Sequence, residues 1–386
     1  TVLTERVREV LPQEEVLHNP PQPSLTLREG DRKGTLRIIR YGSEKRFARF
    51  GGASRTDMKE VPKVLKKMQG KFDVAILHHP YPAYGFVASK VAIPSLYLFH
   101  TSTSREAEIE GIRRTLPAFL EPFRPLLNYL FIARTGRVER VVLTAMDTIA
   151  VLSDFSWLIL KSAFPFAESK IMKLPIGIDL AIFAPSAQRE KVRARLGLPA
   201  NKKILLTVRR FTPRMGLLEL IAAIEKILPE IPETHLLIIG EGPLRGELQK
   251  AITEKGLQST ITLLGSVPVE DLTLYYQAAD LFVLPTAAFE GLGMATLEAL
   301  ACGTPVVGTP AGATLEVLGA LDPALVTQGT DADDIACGIL AFFARSKDDQ
   351  EMLQKQARKV AEDIYNWDKG IDALEQMLHS LCASSK

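Results

Sequence analysis

Short apolar runs rich in β-branched residues alternate along this chain with longer stretches of helical periodicity, and the alternation occurs twice. Such runs are typical of parallel sheets that helices cover on both faces. In the first half, the predicted strands span residues 1–4, 36–40, 73–77, 95–99, 148–152 and 169–175. In the second half, they span residues 203–209, 235–241, 261–265, 281–286, 305–309 and 324–328. The pattern therefore predicts an α/β protein with two parallel-sheet units.

The segment between the two units sets the predicted domain boundary. Residues 183–200 are polar and contain prolines and small residues, which indicates a connector. We predict a first domain over residues 1–185, a second over 186–366, and a C-terminal helix over 367–386 that returns to the first domain. Residues 12–35 carry four prolines without periodicity, which predicts a surface loop.

Composition and charge exclude several classes of protein. The 47 basic and 45 acidic residues give a net charge of +2, too balanced for a chain that binds nucleic acid along its length. Residues 1–185 alone carry 27 basic and 19 acidic side chains, a balance of +8 that favours anionic surfaces. The three cysteines, Cys302, Cys337 and Cys382, have no metal-ligand spacing and cannot complete a disulfide framework. A reducing, cytoplasmic location is expected, and no apolar run reaches the ~18 residues of a membrane span.

The segment 281–307 holds the densest group of informative residues. A predicted strand ends there at Pro285, a Glu-Gly-Leu-Gly loop follows, and a helix begins around Met294. Ligands of open α/β sheets bind outside the carboxyl ends of strands, where this loop lies. Glycine amides approach an anion closely, and the helix N-terminus adds about half a positive charge. Glu290 and Glu298 can each accept hydrogen bonds from hydroxyl groups, so the segment predicts a site for a phosphate and a polyol, with a solvated helix carboxylate as the alternative for Glu298.

Three further predicted strand ends lie in the same half. The sequence VRRFTPRMG places Arg209, Arg210 and Arg214 after a strand, where guanidinium groups can bind a diphosphate. Gly240 lies in the strand-to-turn sequence IIGEGP, and Val267 lies in LGSVP. Surface charges and ordinary turns are the alternatives for each segment taken separately. Together, the four strand ends indicate one ligand site.

The order of these motifs resembles the retaining nucleotide-sugar glycosyltransferases of the family-4 type. These enzymes have the GT-B fold, in which two Rossmann-like domains face each other across a cleft. The resemblance covers roughly residues 70–380 and is strongest over 203–318. Its most specific element is the pair of glutamates eight positions apart in EGLGMATLEALACGTPVV. It also includes PIGID, YYQAADLFVLPT, AGATLE and Trp367 before the last helix.

The resemblance implies a role for each matching residue of the second half. Glu298 would bind the donor ribose, Glu290 would face the donor sugar, and Arg210 would bind the diphosphate. Met215 stands where the family usually has a lysine, so Arg209 or Arg214 would have to supply that charge. The full donor-binding set predicted in this way is Glu298, Arg209, Arg214, Gly291, Leu292, Gly293, Val267 and Gly240, with Val267 meeting the nucleobase through backbone groups.

A histidine after a predicted strand of the first half is the other candidate at the reaction centre. The sequence SLYLFHTSTSRE, with His100, resembles mannosyltransferases of the phosphatidylinositol-mannoside pathway, in which this histidine contacts the donor sugar. We therefore predict His100, Glu290 and Arg210 as catalytic residues. A hydrogen-bonded structural histidine is the alternative for His100, and His78 and His79 compete for a place on the acceptor side.

The resemblance implies transfer with retained configuration, by front-face departure of the nucleotide diphosphate, and without a metal. No carboxylate pair at a strand end is spaced to hold Mg²⁺, so we predict no cofactor and no metal. The expected donor is a UDP- or GDP-sugar, and the acceptor is a lipid, a glycan or a small molecule. A sugar-nucleotide epimerase of the same fold and a nucleotide-binding remnant without catalysis are the alternatives. An NAD dehydrogenase is disfavoured because no G-x-G-x-x-G opens a strand-helix unit.

Two features of the first half lie outside this pattern. Family members usually open with a strand, a glycine-rich loop and a helix, and this unit has no counterpart here, so we expect the natural protein to be longer. Gly51 and Gly52 do not follow a predicted strand and indicate a mobile loop. Residues 111–142 mix aromatic and aliphatic residues with six arginines. Packing of this segment against the first sheet is the plainer interpretation, and peripheral contact with an anionic membrane, where it would admit a lipid acceptor, is the alternative.

Overall fold

The computed structural model describes most of the chain from residue 73 onwards, together with short segments before it. The described residues are 2–5, 14–17, 36–41, 58–59, 61–63, 65–66, 73–110 and 118–384. The predictions for Gly51 and Gly52 and for residues 111–117 of the basic segment lie outside these ranges.

The described residues of the first half form two sheets. Strands β1 (Val2–Glu5), β2 (Glu14–Leu17) and β3 (Leu36–Tyr41) form a small sheet in the order β1-β3-β2. Strands β4 (Ala75–Leu77), β5 (Ser95–Phe99), β6 (Thr148–Val151) and β7 (Ile171–Lys173) form a parallel sheet in that order.

The predicted surface loop over residues 12–35 is wrong for Glu14–Leu17, which pair antiparallel with β3. Four residues are too short a run for strand periodicity to show in the sequence, and the nearby prolines hide it. The rest of that loop lies outside the described residues.

The second half contains one parallel sheet of five described strands. They are β8 (Lys203–Val208), β9 (Thr234–Ile239), β10 (Ile261–Gly265), β11 (Leu281–Leu284) and β12 (Val306–Gly308), in the order β10-β9-β8-β11-β12. The strand predicted over residues 324–328 is wrong. The side chain of Asp322 accepts a hydrogen bond from the Ala324 amide and caps a single 3₁₀ turn, Pro323–Leu325, after which only Val326 bridges β12.

Helices cover both parallel sheets. Those of the first half are α1 (Pro80–Ser89), α2 (Thr103–Glu110), α3 (Arg124–Ala145) and α4 (Asp154–Ala163). Those of the second half are α5 (Arg189–Arg195), α6 (Leu217–Ile227), α7 (Arg245–Glu254), α8 (Val269–Ala278), α9 (Met294–Ala301), α10 (Thr314–Gly319), α11 (Ala332–Phe343), α12 (Lys347–Asp363) and α13 (Trp367–Ser384).

Each parallel sheet has its own apolar core, because its strands are buried on both faces. Residues 204–206 of β8 and 149–151 of β6 are fully buried. The last helix, α13, packs through Met377 against Leu96 and Leu98 of the first sheet. The chain therefore crosses back to its first half at its end, while the exact domain boundaries stay a prediction.

Parallel strands place all their carboxyl ends at one edge of a sheet. In the second sheet, this edge carries Arg209 after β8, Gly240 after β9 and the loop of residues 285–293 after β11. In the first sheet, His78 follows β4 and His100 follows β5. The candidate residues thus gather at two sheet edges.

Candidate active site

A buried ion pair joins the ends of β8 and β11. The Arg209 guanidinium donates hydrogen bonds to the carboxylate of Glu290 and to the Thr286 hydroxyl, and Thr286 also donates to Glu290 at 2.9 Å. The side chains of Arg209 and Glu290 are only 7% and 10% exposed. Because β8 and β11 are neighbours in the sheet, residues 81 positions apart meet here.

The second glutamate of the signature lies inside α9 and is also largely buried. The hydroxyl of Tyr276, which is fully buried, donates to the Glu298 carboxylate at 2.6 Å. Burial raises the pKa of Glu298 above its usual range, and the hydrogen bond from Tyr276 opposes that rise. Tyr276 interacts electrostatically with both Glu298 and Arg209, so both glutamates belong to one polar network.

The N-terminus of α9 has no side-chain cap. Its cap residue is Gly293, in the left-handed region at φ 80°, and no side chain caps the helix. The free amides of a first helical turn favour an anion. Gly312 packs closely against the backbone of Glu290, since a Cβ on Gly312 would lie 2.0 Å from the Glu290 carbonyl oxygen. That carbonyl oxygen accepts a hydrogen bond from the Ala313 amide at 2.9 Å, which holds the loop in place.

The three arginines after β8 have different surroundings. Arg210 is exposed, and its guanidinium makes no hydrogen bond to a described residue, although its charge acts on Glu106 of the first half. Arg214 is buried, pairs with Glu106 at 2.7 Å and Glu110 at 3.2 Å, and donates to the Phe289 carbonyl at 3.0 Å. These contacts occupy the Arg214 guanidinium, so they do not support the predicted diphosphate role for Arg214 and instead join the two halves.

His100 belongs to a histidine pair at the edge of the first sheet. Its Nε2 lies 3.4 Å from Nδ1 of His78, with the two rings stacked. Burial lowers the pKa of His100, and the nearby His78 and His79 lower it further. His79 caps α1 by accepting the Tyr81 amide at 3.4 Å, which is a structural role.

The loop of residues 285–293, which we call the donor-side loop, meets the first half directly. A Cβ on Gly291 would lie 2.6 Å from the His100 carbonyl oxygen, so only glycine fits there. The Gly291 carbonyl oxygen in turn accepts a hydrogen bond from the Ser153 hydroxyl at 2.5 Å. The predicted residues His100 and Gly291 therefore lie together, although they come from opposite sheets.

The remaining predicted donor residues shape the second sheet edge. Gly240 has φ 135°, and a Cβ on it would lie 1.8 Å from the Arg209 carbonyl oxygen, so it holds β9 close to β8. Leu292 and Met215 are buried, while Val267 is partly exposed at the end of β10. Met215 packs into the core and supplies no charge where the resemblance expects a lysine.

Three glutamates of the first half were missed in the sequence analysis. Glu106 and Glu110 lie four positions apart on α2 and face Arg214, and burial raises the pKa of Glu106. Glu139 is a buried carboxylate of α3 that binds residues 102–104. The spacing in TSREAEIE was a usable signal for the α2 pair, whereas a single acid in RVERVV gave none.

The described residues contain neither a metal cluster nor a membrane-spanning helix. No group of three or more histidine, cysteine, aspartate or glutamate side chains there is arranged to hold a metal ion. Within the same residues, no helix combines the length and apolar character needed to cross a membrane.

Comparison with known families matches residues 188–360 to glycosyl transferases group 1. A GDP-mannose-dependent alpha-(1-6)-phosphatidylinositol monomannoside mannosyltransferase of Mycolicibacterium smegmatis is 31% identical over 200 residues, 50% of this chain and 52% of that protein. The phosphatidyl-myo-inositol mannosyltransferase of the same organism is 25% identical over 342 residues, 88% of this chain and 77% of that protein. The alignment thus spans about half the length of the first of these curated relatives.

Solved structures confirm the predicted GT-B architecture. Sucrose-phosphate synthase from Thermosynechococcus elongatus superposes with a TM-score of 0.78 at 21% identity, covering 99% of this chain and 88% of that one. The Anabaena protein Alr3699/HepE in complex with UDP and glucose gives a TM-score of 0.71 at 20% identity, covering 89% and 86%. At this identity the likeness establishes the fold.

The buried pair predicts an asymmetric response to mutation. Arg209→Met leaves the Glu290 carboxylate buried without its cation, so we expect a loss of about 3–5 kcal/mol in the free energy of unfolding of the second domain. The double variant Arg209→Met, Glu290→Gln should recover part of that loss. Urea denaturation followed by circular dichroism measures both.

A matched control for that experiment is Arg245→Met, which breaks the pair with Glu241, where both side chains are about half exposed. A solvent-exposed pair of this kind contributes about 0–1 kcal/mol. Equal losses in the free energy of unfolding of Arg209→Met and Arg245→Met would show that the buried pair contributes no more to stability than an exposed pair.

Proposed function

We propose that this protein is a hexosyltransferase that moves a sugar from a nucleotide-diphosphate donor to an acceptor hydroxyl, because residues 188–360 match the glycosyl transferases of group 1 and the chain has the GT-B fold. One arrangement carries this proposal. The uncapped N-terminus of α9 lies between Glu290 and Glu298, and the exposed Arg210 follows the neighbouring strand. Amides, a cation and two carboxylates then match the phosphates and hydroxyl groups of a nucleotide sugar.

In this proposal, the charged and polar groups at the carboxyl edge of the second sheet bind the donor. Glu298 accepts hydrogen bonds from the ribose hydroxyls, since Tyr276 donates to one carboxylate oxygen only and leaves further lone pairs. The diphosphate lies at the amides of Gly291, Leu292 and Gly293, within reach of Arg210. Glu290 and its partner Arg209 face the sugar. The base lies near Val267, whose apolar side chain offers little discrimination between bases.

Transfer proceeds with retention by front-face departure. The acceptor oxygen bonds to the anomeric carbon while the bond from that carbon to the phosphate oxygen breaks, and the nucleotide diphosphate leaves with the electron pair. The acceptor proton passes to a phosphate oxygen of the leaving group. Arg210 and the α9 amides stabilise the developing negative charge. Glu290 is already bound by Arg209 and Thr286, which supports a role in positioning the sugar over one as a free nucleophile.

The donor is a UDP- or GDP-sugar. The relatives named above include a mannosyltransferase described as GDP-mannose-dependent, and the Anabaena structure contains UDP. These names support a nucleotide sugar as the donor class. Which base and which sugar the site selects would depend on contacts with this sheet edge, and we expect most of these contacts to come from backbone groups.

The acceptor is a lipid presented at an anionic membrane surface. The first turns of α3 expose Leu126, Tyr129 and Leu130, and the same helix exposes Arg134, Arg137 and Arg140. Aromatic and aliphatic side chains beside arginines favour the headgroup region of an anionic bilayer. The packing alternative applies to the opposite face of α3, where Val138, Val142 and Leu143 are buried. Relatives named for phosphatidylinositol substrates support a lipid acceptor.

Nucleotide binding is the direct test of the proposed function. We expect UDP or GDP, more than ADP, to raise the Tm of the native protein. We also expect Glu298→Gln to weaken the binding of that nucleotide by about tenfold, because a charged hydrogen-bond acceptor is lost.

Only the ionised carboxylate accepts from both ribose hydroxyls. Since burial raises the pKa of Glu298 above 4.5, nucleotide affinity should fall with decreasing pH before an ordinary glutamate would protonate, and this fall should vanish in Glu298→Gln.

Titration calorimetry between neutral and mildly acidic pH measures these affinities. Glu254→Gln is the control, because Glu254 is an exposed glutamate of the same domain. A Tm unmoved by any of the three nucleotides, or a Glu298→Gln affinity equal to the wild-type value, would count against the donor site.

Metal independence is a separate expectation. The positive charges of Arg210 and the α9 amides take the place of a cation at the diphosphate, so incubation with EDTA should leave the transfer rate unchanged. Release of UDP or GDP from the matching sugar nucleotide in the presence of acceptor measures that rate. Activity that is lost with EDTA and restored by Mg²⁺ or Mn²⁺ would show that the site uses a metal.

Membrane contact has its own measurement. The protein should sediment with vesicles that contain anionic phospholipid at low salt and much less at high salt, because exposed arginines are screened. Arg137→Glu with Arg140→Glu should reduce this binding, whereas Lys226→Glu, an exposed lysine of the second domain, should not. Sedimentation that is insensitive to salt and to these variants would leave α3 with a packing role only.

A further inference from the structure

A buried carboxylate of α3 closes the N-terminus of α2. Glu139 is 2% exposed, and its side chain accepts the Thr103 amide at 2.6 Å and the Ser104 amide at 3.2 Å. It also accepts the hydroxyl hydrogen bonds of Ser102, at 3.2 Å, and of Ser104. Among the described residues, no lysine or arginine pairs with Glu139, so these donors are what stabilise its charge.

This arrangement excludes a ligand anion from that helix end. The first amides of a helix have no intrahelical partner. In α2, Glu139 takes the amides of Thr103 and Ser104, and the Ser102 hydroxyl takes the amide of Arg105 at 3.4 Å. The donors are already used within the protein, so the cluster serves to hold the chain segment rather than to bind a substrate.

The segment that Glu139 holds lies between two parts of the candidate active site. His100 precedes it by two residues, and the His100 carbonyl lies against Gly291 of the donor-side loop. Along α2, Glu106 and Glu110 pair with Arg214, which donates to the carbonyl of Phe289. Fixing the start of α2 therefore fixes the reaction-centre histidine and, through α2, one support of the donor-side loop.

We propose that Glu139 is the positioning residue of the reaction centre, which sets the place of His100 by binding residues 102–104 from α3. It does not touch the donor itself. Its effect on transfer rests on the proposed function, while its effect on His100 does not. Nucleotide affinity, which depends on the second sheet, should be independent of it.

The experiment reads His100 directly by NMR titration of the imidazole protons in the full-length chain. In the wild type, burial and the neighbouring His78 and His79 hold the pKa of His100 below 6.5. In Glu139→Gln, the neutral side chain cannot accept from four donors, so the segment loosens and the pKa of His100 should rise toward 6.5. Loss of the negative charge alone would lower this pKa, so the sign separates repositioning from a charge effect.

One histidine signal and one variant serve as controls. His235, in the second sheet, also has a lowered pKa and should not move in Glu139→Gln. Ser89→Ala removes a buried hydrogen bond to the Phe86 carbonyl oxygen, 2.6 Å long, at the end of α1 remote from His79, and should lower stability without moving the pKa of His100. If Glu139→Gln does not fold, Ser104→Ala removes one donor of the same cluster and should shift His100 in the same direction.

Kinetics completes the test. Misplacement of a reacting group by about 1 Å costs about 100-fold in rate, so we expect kcat of Glu139→Gln to fall by about that factor while the nucleotide Kd stays unchanged. An unmoved His100 pKa in a folded variant, or a shift of His235 as large as that of His100, would overturn the proposal. Absence of transfer by the wild-type protein would refute the proposed function. The NMR titration of His100 would then test the positioning role of Glu139 by itself.

Discussion

The buried pair of Arg209 and Glu290 is the interaction on which the rest of the site depends. Two charges with this little exposure are tolerated only when each has its partner, because the cost of leaving one alone is several kcal/mol. The pair forms because β8 and β11 are adjacent parallel strands that end at the same edge. It fixes where the donor-side loop leaves β11, and thus where Gly291 to Gly293 present their amides.

The loop then depends on the other half of the chain. Gly291 touches the His100 carbonyl and accepts from Ser153, while Arg214 connects Phe289 to Glu106 and Glu110. Phe289 has φ 55°, a conformation that a bulky residue seldom adopts, and its carbonyl is held by Arg214. Contacts between the halves therefore stabilise a loop geometry that the second domain alone would not favour.

The sequence predicted well what local pattern encodes. Strands such as β8 and β11 are continuous apolar runs, and the glutamate pair lies in a loop and helix that follow one of them, so both could be located without coordinates. Contacts between residues that are far apart in the chain could not be located in this way. The diphosphate role of Arg214 is predicted from its place after a strand and stays a prediction, whereas the pairing of its side chain with Glu110, 104 positions earlier, is seen only in the structure. Nothing in the local sequence of either residue encodes that meeting.

Two helix N-termini near the cleft differ in how their amides are satisfied, and this difference organises the electrostatics of the site. At α2, the carboxylate of Glu139 and the hydroxyl of Ser102 take the amides, so that end of the helix attracts no further anion. At α9, no side chain caps the helix, and the Thr296 amide bonds back to the Gly293 carbonyl oxygen at 2.8 Å. An uncapped helix end favours negative charge where no acceptor side chain already takes its amides, and the α9 terminus shares this character with those of α6, α7 and α8 at the same edge of the sheet. The α9 terminus is distinguished by its loop, because Gly291 lies against the His100 carbonyl oxygen of the first half.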